Sequence, residues 1–534
     1  MKIWFGIFLA IISGVLAAMA FPPLQLSWLC WIAWSPLIID LWFAESKKHH
    51  LLRMLGLGYL GGIFFFWCSL AWIREVTMMG WFVLGLYLGI YPALWALFIG
   101  TICRPRQERP TKDLIWLNSW NNLWLAILGA AAWSGLEWIR GFLFTGFGWN
   151  SQGVALYRLV PLIQIADITG VQGLSFLVIM VNLIFVMTIK RLSLELRKYG
   201  WHSHFDFTIT LALVAAAFLY GARKIFYSRT ALTPIRIACI QPSIPQNLKW
   251  DPAFEEAILQ TCLKQSEAAI RMHPNLLMWP EATTPRPALV DPETRALIEG
   301  VARSFSGDLL IGTIHFSGDK SFNSAVLFTD QGKKAQIYSK VHLVPFGEYI
   351  PLRHSFPLFA WIAGTLIPYD FTAGSGPVIF PMQTLPIHLA PLICFEDTIG
   401  SLARRFVLEK AQLFTVVTNN GWFGRSSCSQ QHLANAIFRA AEFKIPMARC
   451  SNTGITCLVD RFGAISQILH DPRNITFGPG ILVGELKVPS NPVPTFYARF
   501  GDVFSASALG LSCLAVIFHL RRRCSSRWRN VSYI

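Results

Sequence analysis

Long apolar stretches, each close to the length of a membrane-spanning helix, fill the first part of the chain. A helix needs about 20 mainly apolar residues to cross a bilayer. This pattern predicts seven spans before a long polar region and one after it, at residues 3–20, 24–44, 51–73, 80–102, 114–139, 168–189, 206–222 and 503–520. The chain is therefore expected to be a multi-span membrane protein.

From about residue 233 to 490 the pattern changes to short β-rich runs that alternate with helical stretches. Helices are predicted after Asp251-Pro252 and Asp291-Pro292, where Asp is an N-cap and Pro occupies the first helical position, and near 397–410 and 430–444. Strands are predicted at 235–240, 276–279, 309–315, 322–329, 386–393, 413–418, 447–450 and 456–460, with a further strand ending at Tyr338. This region is expected to form one α/β domain with its own core.

The basic residues predict how the spans are oriented. Of the Lys and Arg residues outside 228–500, 17 lie in alternate gaps between spans and 5 in the other gaps. Because cytoplasmic loops carry the excess of Lys and Arg, both termini are predicted to be cytoplasmic. The expected domains are a seven-span transmembrane domain at 1–225, a periplasmic catalytic domain at 226–495, and a final span with a basic tail at 496–534. The first span is expected to be retained and not cleaved as a signal peptide.

Composition and cysteine spacing exclude several classes of partner. The chain has 534 residues, of which 53% are hydrophobic and 14% charged, with a formal net charge of +16. Most of that charge lies at span ends and not on one globular face, which argues against a nucleic-acid partner. None of the 11 cysteines forms a CxxC pair, so no metal site or other cofactor is expected. Whether cysteines on the exported side form disulfides, and in which pairs, stays open.

Three residues at predicted strand ends could form a covalent catalyst. Cys394 leaves an apolar strand, Glu281 follows Trp279-Pro280, and Lys340 follows the strand that ends at Tyr338. A nucleophilic thiol needs a base nearby, and a cation could stabilise an oxyanion. Each residue alone also fits an ordinary role, as a buried cysteine, a loop carboxylate or a solvated lysine. Their separation in the chain means that only the fold can bring them together.

The segments around these residues resemble the nitrilase superfamily and, together with the spans, its apolipoprotein N-acyltransferase branch. The resemblance rests on IPQNLKW (244–250), WPE (279–281), KVHLVPFGEY (340–349), CFE (394–396), NNGWFG (419–424) and GFGW (146–149). It implies an αββα sandwich as the fold of the exported domain. Phe395 stands where the family commonly has Tyr, and Asn420-Gly421 where it commonly has Asp-Ala; neither departure removes a member of the triad.

The resemblance also implies a reaction and its residues. Glu281 would be the base, Lys340 would stabilise the oxyanion, and Cys394 would attack an ester of a phospholipid to give a thioester acyl-enzyme. The amine of a diacylglyceryl-cysteine lipoprotein would then accept the acyl group, with ping-pong kinetics, in the inner membrane of a bacterium. Glu348 and Glu396 are supporting candidates, and Trp250, Trp422 and Phe423 are candidates for substrate gating or binding.

One further segment and two other functions stay open. Residues 352–371 are too apolar for an exposed loop and too rich in Pro and Gly for a span, so we predict a lid at the outer leaflet; the alternative is a hydrophobic arm packed on the spans. A membrane-tethered amidase would use the same triad with water as acceptor. A transporter or sensor is disfavoured by the intact triad and by the scarcity of ionisable residues in the spans.

Overall fold

The structure, a computed structural model, describes residues 3–44, 50–105, 112–198, 204–351, 353, 355, 370–471, 473 and 475–531. The chain divides into two compact units. The first consists of Met1–Phe226 and Asp502–Ile534, and the second of Tyr227–Gly501. Most of the predicted lid at 352–371 lies outside the described residues, and that prediction therefore stays open. At its two ends, the Arg353 guanidinium pairs with the Asp370 carboxylate at 2.7 Å.

The first unit is helical. Its helices are α1 (Ile3–Met19), α2 (Ser35–Phe43), α3 (His50–Ser69), α4 (Met78–Leu88), α5 (Ile90–Thr101), α6 (Lys112–Arg140), α7 (Val160–Ile163), α8 (Ala166–Thr169), α9 (Val171–Lys198), α10 (Phe205–Phe226) and, after the second unit, α16 (Val503–Val531). Among the described residues, five stretches are long and apolar enough to cross a membrane: His50–Ser69, Met78–Thr101, Val171–Ser193, Phe205–Phe226 and Val503–Arg522.

The predicted span at 24–44 is not one continuous helix. A 3-10 helix at Ser27–Trp31 is followed by α2, whose first turn contains Pro36. Proline lacks an N–H and is tolerated at the start of a helix but not in its interior, so a new helix begins there. The Asn182 side chain of α9 accepts from the Trp34 N–H at 2.9 Å and donates to the Cys30 carbonyl at 2.8 Å. These bonds satisfy main-chain groups that a break in an apolar environment would otherwise expose.

The second unit contains two six-stranded sheets. The first sheet has the order β12-β1-β2-β3-β4-β5 and the second β11-β10-β9-β8-β7-β6. Strands β1, β2 and β3 run parallel, as do β7, β8 and β9. The strands are β1 (Leu232–Gln241), β2 (Leu276–Met278), β3 (Asp308–Ser317), β4 (Lys320–Thr329), β5 (Lys334–Ser339), β6 (Phe380–Pro381), β7 (His388–Ile393), β8 (Leu413–Thr418), β9 (Met447–Ser451), β10 (Cys457–Val459), β11 (Ile465–Ile468) and β12 (Gly480–Pro489).

Helices cover the outer faces of both sheets. On the first sheet, α11 (Glu255–Ile270) and α12 (Pro292–Arg303) supply apolar side chains to a core shared with β1 to β4. On the second, α13 (Gly400–Leu408) contacts β7, while Phe443 of α14 (Cys428–Phe443) packs on Phe414 with ring centroids 6.2 Å apart. A short α15 (Phe496–Phe500) follows. The inner faces meet where the Cys450 thiol contacts the carbonyls of Ile240 and Met278. The predicted αββα sandwich is thus confirmed.

The sequence pattern missed the strands at the sheet edges. Strand β12 pairs with β1 along its whole length, from Leu232 opposite Pro489 to Gln241 opposite Gly480. Its buried residues are interrupted by Gly484, Glu485 and Lys487, so there is no continuous apolar run for a sequence pattern to detect. Strands β6 and β11 are short edge strands. None of these three carries a candidate site residue.

Candidate active site

The three candidate residues lie at the carboxyl ends of strands from both sheets. Glu281 follows β2, Lys340 follows β5 directly, and Cys394 follows β7 directly. Carboxyl ends of parallel strands meet at one edge, where α/β proteins bind ligands. The Cys394 thiol interacts electrostatically with both Glu281 and Lys340. The fold therefore brings together groups that are more than 50 residues apart in the chain.

Lys340 is buried between two carboxylates. Its Nζ lies 2.8 Å from Glu348 Oε2 and 3.8 Å from Glu281 Oε1. The Asn323 amide donates to Glu281 Oε1 and to Glu348 Oε1, each at 2.8 Å, and so fixes their spacing. Burial opposes the charge of the Lys340 ammonium, but Glu348 and Glu281 raise its pKa above the ordinary value. Lys340 is thus a fixed cation, and Glu348 contacts it directly.

Cys394 has an unusual main-chain conformation. Its φ is +53°, in the left-handed region that non-glycine residues seldom adopt. The residue as a whole is partly exposed, but its thiol is buried and hydrogen-bonds Thr418 at the end of β8. Burial, with a contribution from Glu281, raises the pKa of the thiol to about 12, although Lys340 lowers it. The thiol is therefore protonated at neutral pH, and its attack needs a base.

Glu396 ties the loop after β5 to the loop after β7. Its fully buried carboxylate accepts from the N–H groups of Val341 at 2.7 Å, His342 at 3.0 Å and Ile393 at 2.9 Å, and from the Tyr338 hydroxyl at 2.9 Å. Burial raises the pKa of Glu396 to about 7, and Lys340 opposes this shift. Glu396 thus holds the main chain on both sides of the site, a role different from direct orientation of Lys340.

Lys249 is a site residue that the sequence reasoning did not single out. Its side chain is buried, and Nζ donates to the main-chain carbonyl of Glu281 at 3.0 Å. Burial lowers the pKa of Lys249 to about 8, while Glu281 and Cys394 raise it. Its place in the segment IPQNLKW was the available signal, but only the fold shows that this lysine turns inward beside Glu281.

Large aromatic side chains near these loops are exposed. Trp250 is 48% and Trp422 45% exposed, and Phe423 is partly buried. Neither tryptophan is a core residue. Phe346, in the loop between Lys340 and Glu348, is 41% exposed. Within the described ranges, no cluster of His, Cys, Asp and Glu could hold a metal ion, and the cysteines are free.

The fold and the site define a class of protein, an enzyme of the carbon–nitrogen hydrolase superfamily whose chain also contains a helical unit with candidate membrane helices. Residues 236–485 match the carbon-nitrogen hydrolase family, and residues 13–184 match the apolipoprotein N-acyltransferase N-terminal domain. The chain is 33% identical over 530 residues to the apolipoprotein N-acyltransferase of Geobacter metallireducens, covering 96% of this chain and 95% of that protein. The chain belongs to the apolipoprotein N-acyltransferase family.

Other relatives give the same family name. The apolipoprotein N-acyltransferase of Rickettsia typhi is 29% identical over 508 residues, which cover 92% of this chain and 93% of that protein. Among solved structures, a mutant amidase from Nesterenkonia sp. AN1 is similar over 50% of this chain and 94% of its own, with 20% identity and a TM-score of 0.36.

Proposed function

We propose that this chain transfers a fatty acyl group from a membrane phospholipid to the N-terminal amine of a diacylglyceryl-cysteine lipoprotein. The observation that carries the proposal is the Lys340 ammonium, held between Glu281 and Glu348 in electrostatic reach of the Cys394 thiol. Such a site can generate a thiolate and stabilise an oxyanion, the two requirements of acyl transfer. The family membership and the five candidate membrane helices support lipids as the substrates.

In the first half-reaction the enzyme becomes acylated. Glu281 takes the thiol proton as Cys394 Sγ attacks an ester carbonyl of the phospholipid. Lys340 stabilises the tetrahedral oxyanion, because its positive charge is already held in place before the negative charge develops. The ester C–O bond breaks, Glu281 returns the proton to the leaving alkoxide, and a lysophospholipid departs. A thioester on Cys394 remains.

In the second half-reaction the lipoprotein amine attacks the thioester. Glu281 removes a proton from the amine, the C–S bond breaks, and the proton passes to the Cys394 thiolate. An amide forms and the enzyme is regenerated. Because the first product leaves before the acceptor reacts, the kinetics should be ping-pong. We propose that the reaction occurs on the periplasmic side of the inner membrane. The thioester reacts readily with an amine, so the transfer needs no nucleotide as an energy source.

The test uses the full-length protein in detergent, a phospholipid and a synthetic diacylated lipopeptide. Mass spectrometry should show one added acyl chain on the lipopeptide and, without lipopeptide, an acyl group on Cys394. Cys394→Ala should abolish both signals, whereas the control Cys513→Ala, at an exposed cysteine of α16, should keep them. Transfer by the Cys394→Ala protein would overturn the mechanism. Release of free acid or ammonia from small amides, without transfer, would instead establish an amidase.

A further inference from the structure

A second buried charged network lies behind the Cys394 turn, the 3-10 helix of residues Cys394–Thr398. Asp397 of this turn pairs with Arg449 of β9, and His432 Nε2 of α14 lies 2.9 Å from Asp397 Oδ1. Asp397 is fully buried, and Arg449 and His432 are nearly so. None of the three takes part in the proposed acyl transfer.

The network reaches the main chain of the nucleophile itself. The His432 ring hydrogen-bonds the main chain of Cys394, and its Nε2 is at ion-pair distance from the Asp397 carboxylate. One imidazole therefore joins the first residue of the Cys394 turn to its fourth. Because α14 and β9 are both regular elements of the core, this link anchors the turn to a rigid part of the unit.

The left-handed conformation of Cys394 explains why such an anchor is needed. A non-glycine residue with positive φ persists only where the surrounding structure holds it. Glu396 holds the turn from one side through the loop after β5, and Asp397 holds it from the other through α14 and β9. Two adjacent buried carboxylates thus connect the turn to two different parts of the unit.

We propose that Asp397, His432 and Arg449 are positioning residues that fix the direction of the Cys394 thiol toward Lys340 and the substrate. The inference rests on the proposed function for its substrates. The simplest alternative is that the network only stabilises the fold, as a buried ion pair can. The two differ in what happens to catalysis once the loss of stability is accounted for.

The experiment compares Asp397→Asn with Asp308→Asn in the full-length protein. Asp308 is also a buried carboxylate, accepting from the Gln383 N–H and the Thr384 hydroxyl, but it begins β3 and lies at the opposite sheet edge. Asp397→Asn should lower kcat for lipopeptide acylation about tenfold or more with KM within about twofold when it is assayed below its own Tm, whereas Asp308→Asn should keep its kcat within about twofold. Unchanged kcat, or an equal loss in Asp308→Asn, would overturn the proposal.

Two additions keep the test decisive. If Asp397→Asn does not fold, His432→Gln replaces it and should show the same loss of kcat at constant KM. The rate at which iodoacetamide alkylates Cys394 is measured in each protein, because it needs no lipid substrate. A thiol turned away from Lys340 loses the cation that favours its thiolate, so alkylation should slow at least about threefold in both variants and not in Asp308→Asn. If the unsubstituted protein transfers no acyl group, the proposed function fails, and these rates alone decide on positioning; equal rates would refute it.

Discussion

At the scale of single residues, the site depends on how strongly buried charges are paired. Lys340 has a carboxylate on each side and keeps its charge. Lys249, equally buried, donates to a carbonyl oxygen and not to a carboxylate within the described part of the chain, so burial dominates and lowers its pKa to about 8. The same residue type therefore acts as a permanent cation at one position and as a titrating group at the other.

Lys249 should contribute to the reaction in a pH-dependent way. Lys249→Met removes a buried hydrogen bond to the Glu281 loop and a cation near the thiol, and hydrogen bonds from charged groups contribute about 1.5–3 kcal/mol. We expect kcat/KM for lipopeptide acylation to fall at least about tenfold at pH 7. In the unsubstituted protein the contribution should be lost as pH rises through about 8, where Lys249 deprotonates. The control is Lys264→Met, at an exposed lysine of α11; equal rates in both variants would contradict the role.

Glu396 should make the stability of the protein depend on pH. Its pKa of about 7 in the folded protein exceeds the ordinary 4.5, so the folded state binds this proton more tightly than the unfolded chain. The resulting contribution is fully present below pH 4.5 and is lost as pH rises to 7, on the order of 3 kcal/mol in all. The Tm of the unsubstituted protein should therefore fall between pH 5 and 7, in part because Glu396 loses its proton. The Tm of Glu396→Gln should lack that part of the fall. Glu409→Gln, at an exposed glutamate, should retain it; parallel Tm profiles for Glu396→Gln and the unsubstituted protein would disprove the shift.

At the scale of elements, the candidate catalytic side chains lie at strand ends, and a small residue in a neighbouring strand lets the Glu281 loop pack closely against it. The loop that carries Glu281 lies directly against β3, where the Thr283 N–H donates to the Gly312 carbonyl at 2.8 Å. A Cβ on Gly312 would lie 2.4 Å from the Pro280 carbonyl oxygen and 2.6 Å from Glu281 Cα. The position of the proposed base therefore depends on the absence of a side chain in the neighbouring strand.

Gly312→Ala should displace the Glu281 loop. Both clashing atoms belong to the main chain, so the loop must move as a whole; overpacking of this kind costs about 1–3 kcal/mol of stability. We expect a lower Tm and a loss of acyl transfer of at least about tenfold. In the control Gly300→Ala, the new Cβ in α12 would meet nothing within 4 Å, and alanine favours a helix over glycine, so Tm should hold or rise and activity should not change. Full activity in Gly312→Ala would show that the loop tolerates displacement.

At the scale of the whole molecule, the chain combines a helical unit that contains candidate membrane helices with an α/β unit that contains two sheets. The described part of the helical unit contains five stretches long and apolar enough to cross a membrane, and a helix pairs its interior main-chain groups within itself, as a bilayer requires. The α/β unit holds the candidate site. The distribution of basic residues predicts which side of the membrane this second unit occupies.

The orientation of the second unit relative to the membrane can be tested by adding one cysteine at a time and labelling it with a membrane-impermeant maleimide. Lys320→Cys lies on an exposed hairpin of the second unit, and Leu51→Cys lies at the exposed start of α3, which is predicted to face the cytoplasm. In spheroplasts with an intact inner membrane, Lys320→Cys should be labelled and Leu51→Cys should become labelled only after lysis. The unsubstituted protein gives the background from its native cysteines. The reverse pattern would place the second unit in the cytoplasm.

The sequence by itself determined the class of each unit, because hydropathy and periodicity are local properties. Apolar length predicts the membrane helices, alternating elements predict the α/β domain, which the fold confirms, and the positions after strands point to Glu281, Lys340 and Cys394. The local pattern also gave no sign of one break in a helix. The stretch 24–44 is apolar enough for a span, yet its break at Pro36 is stabilised by Asn182, which is more than 140 residues away in the chain.

The tertiary structure alone decided how the candidate residues meet. The two carboxylates beside Lys340, the inward turn of Lys249 and the network of Asp397, His432 and Arg449 join residues from strands, loops and helices that are distant in the chain. Burial and pairing set whether a side chain is charged, and both depend on neighbours that are distant in the chain. The identity of the chemical groups is therefore a property of the sequence, whereas their protonation and direction are properties of the fold.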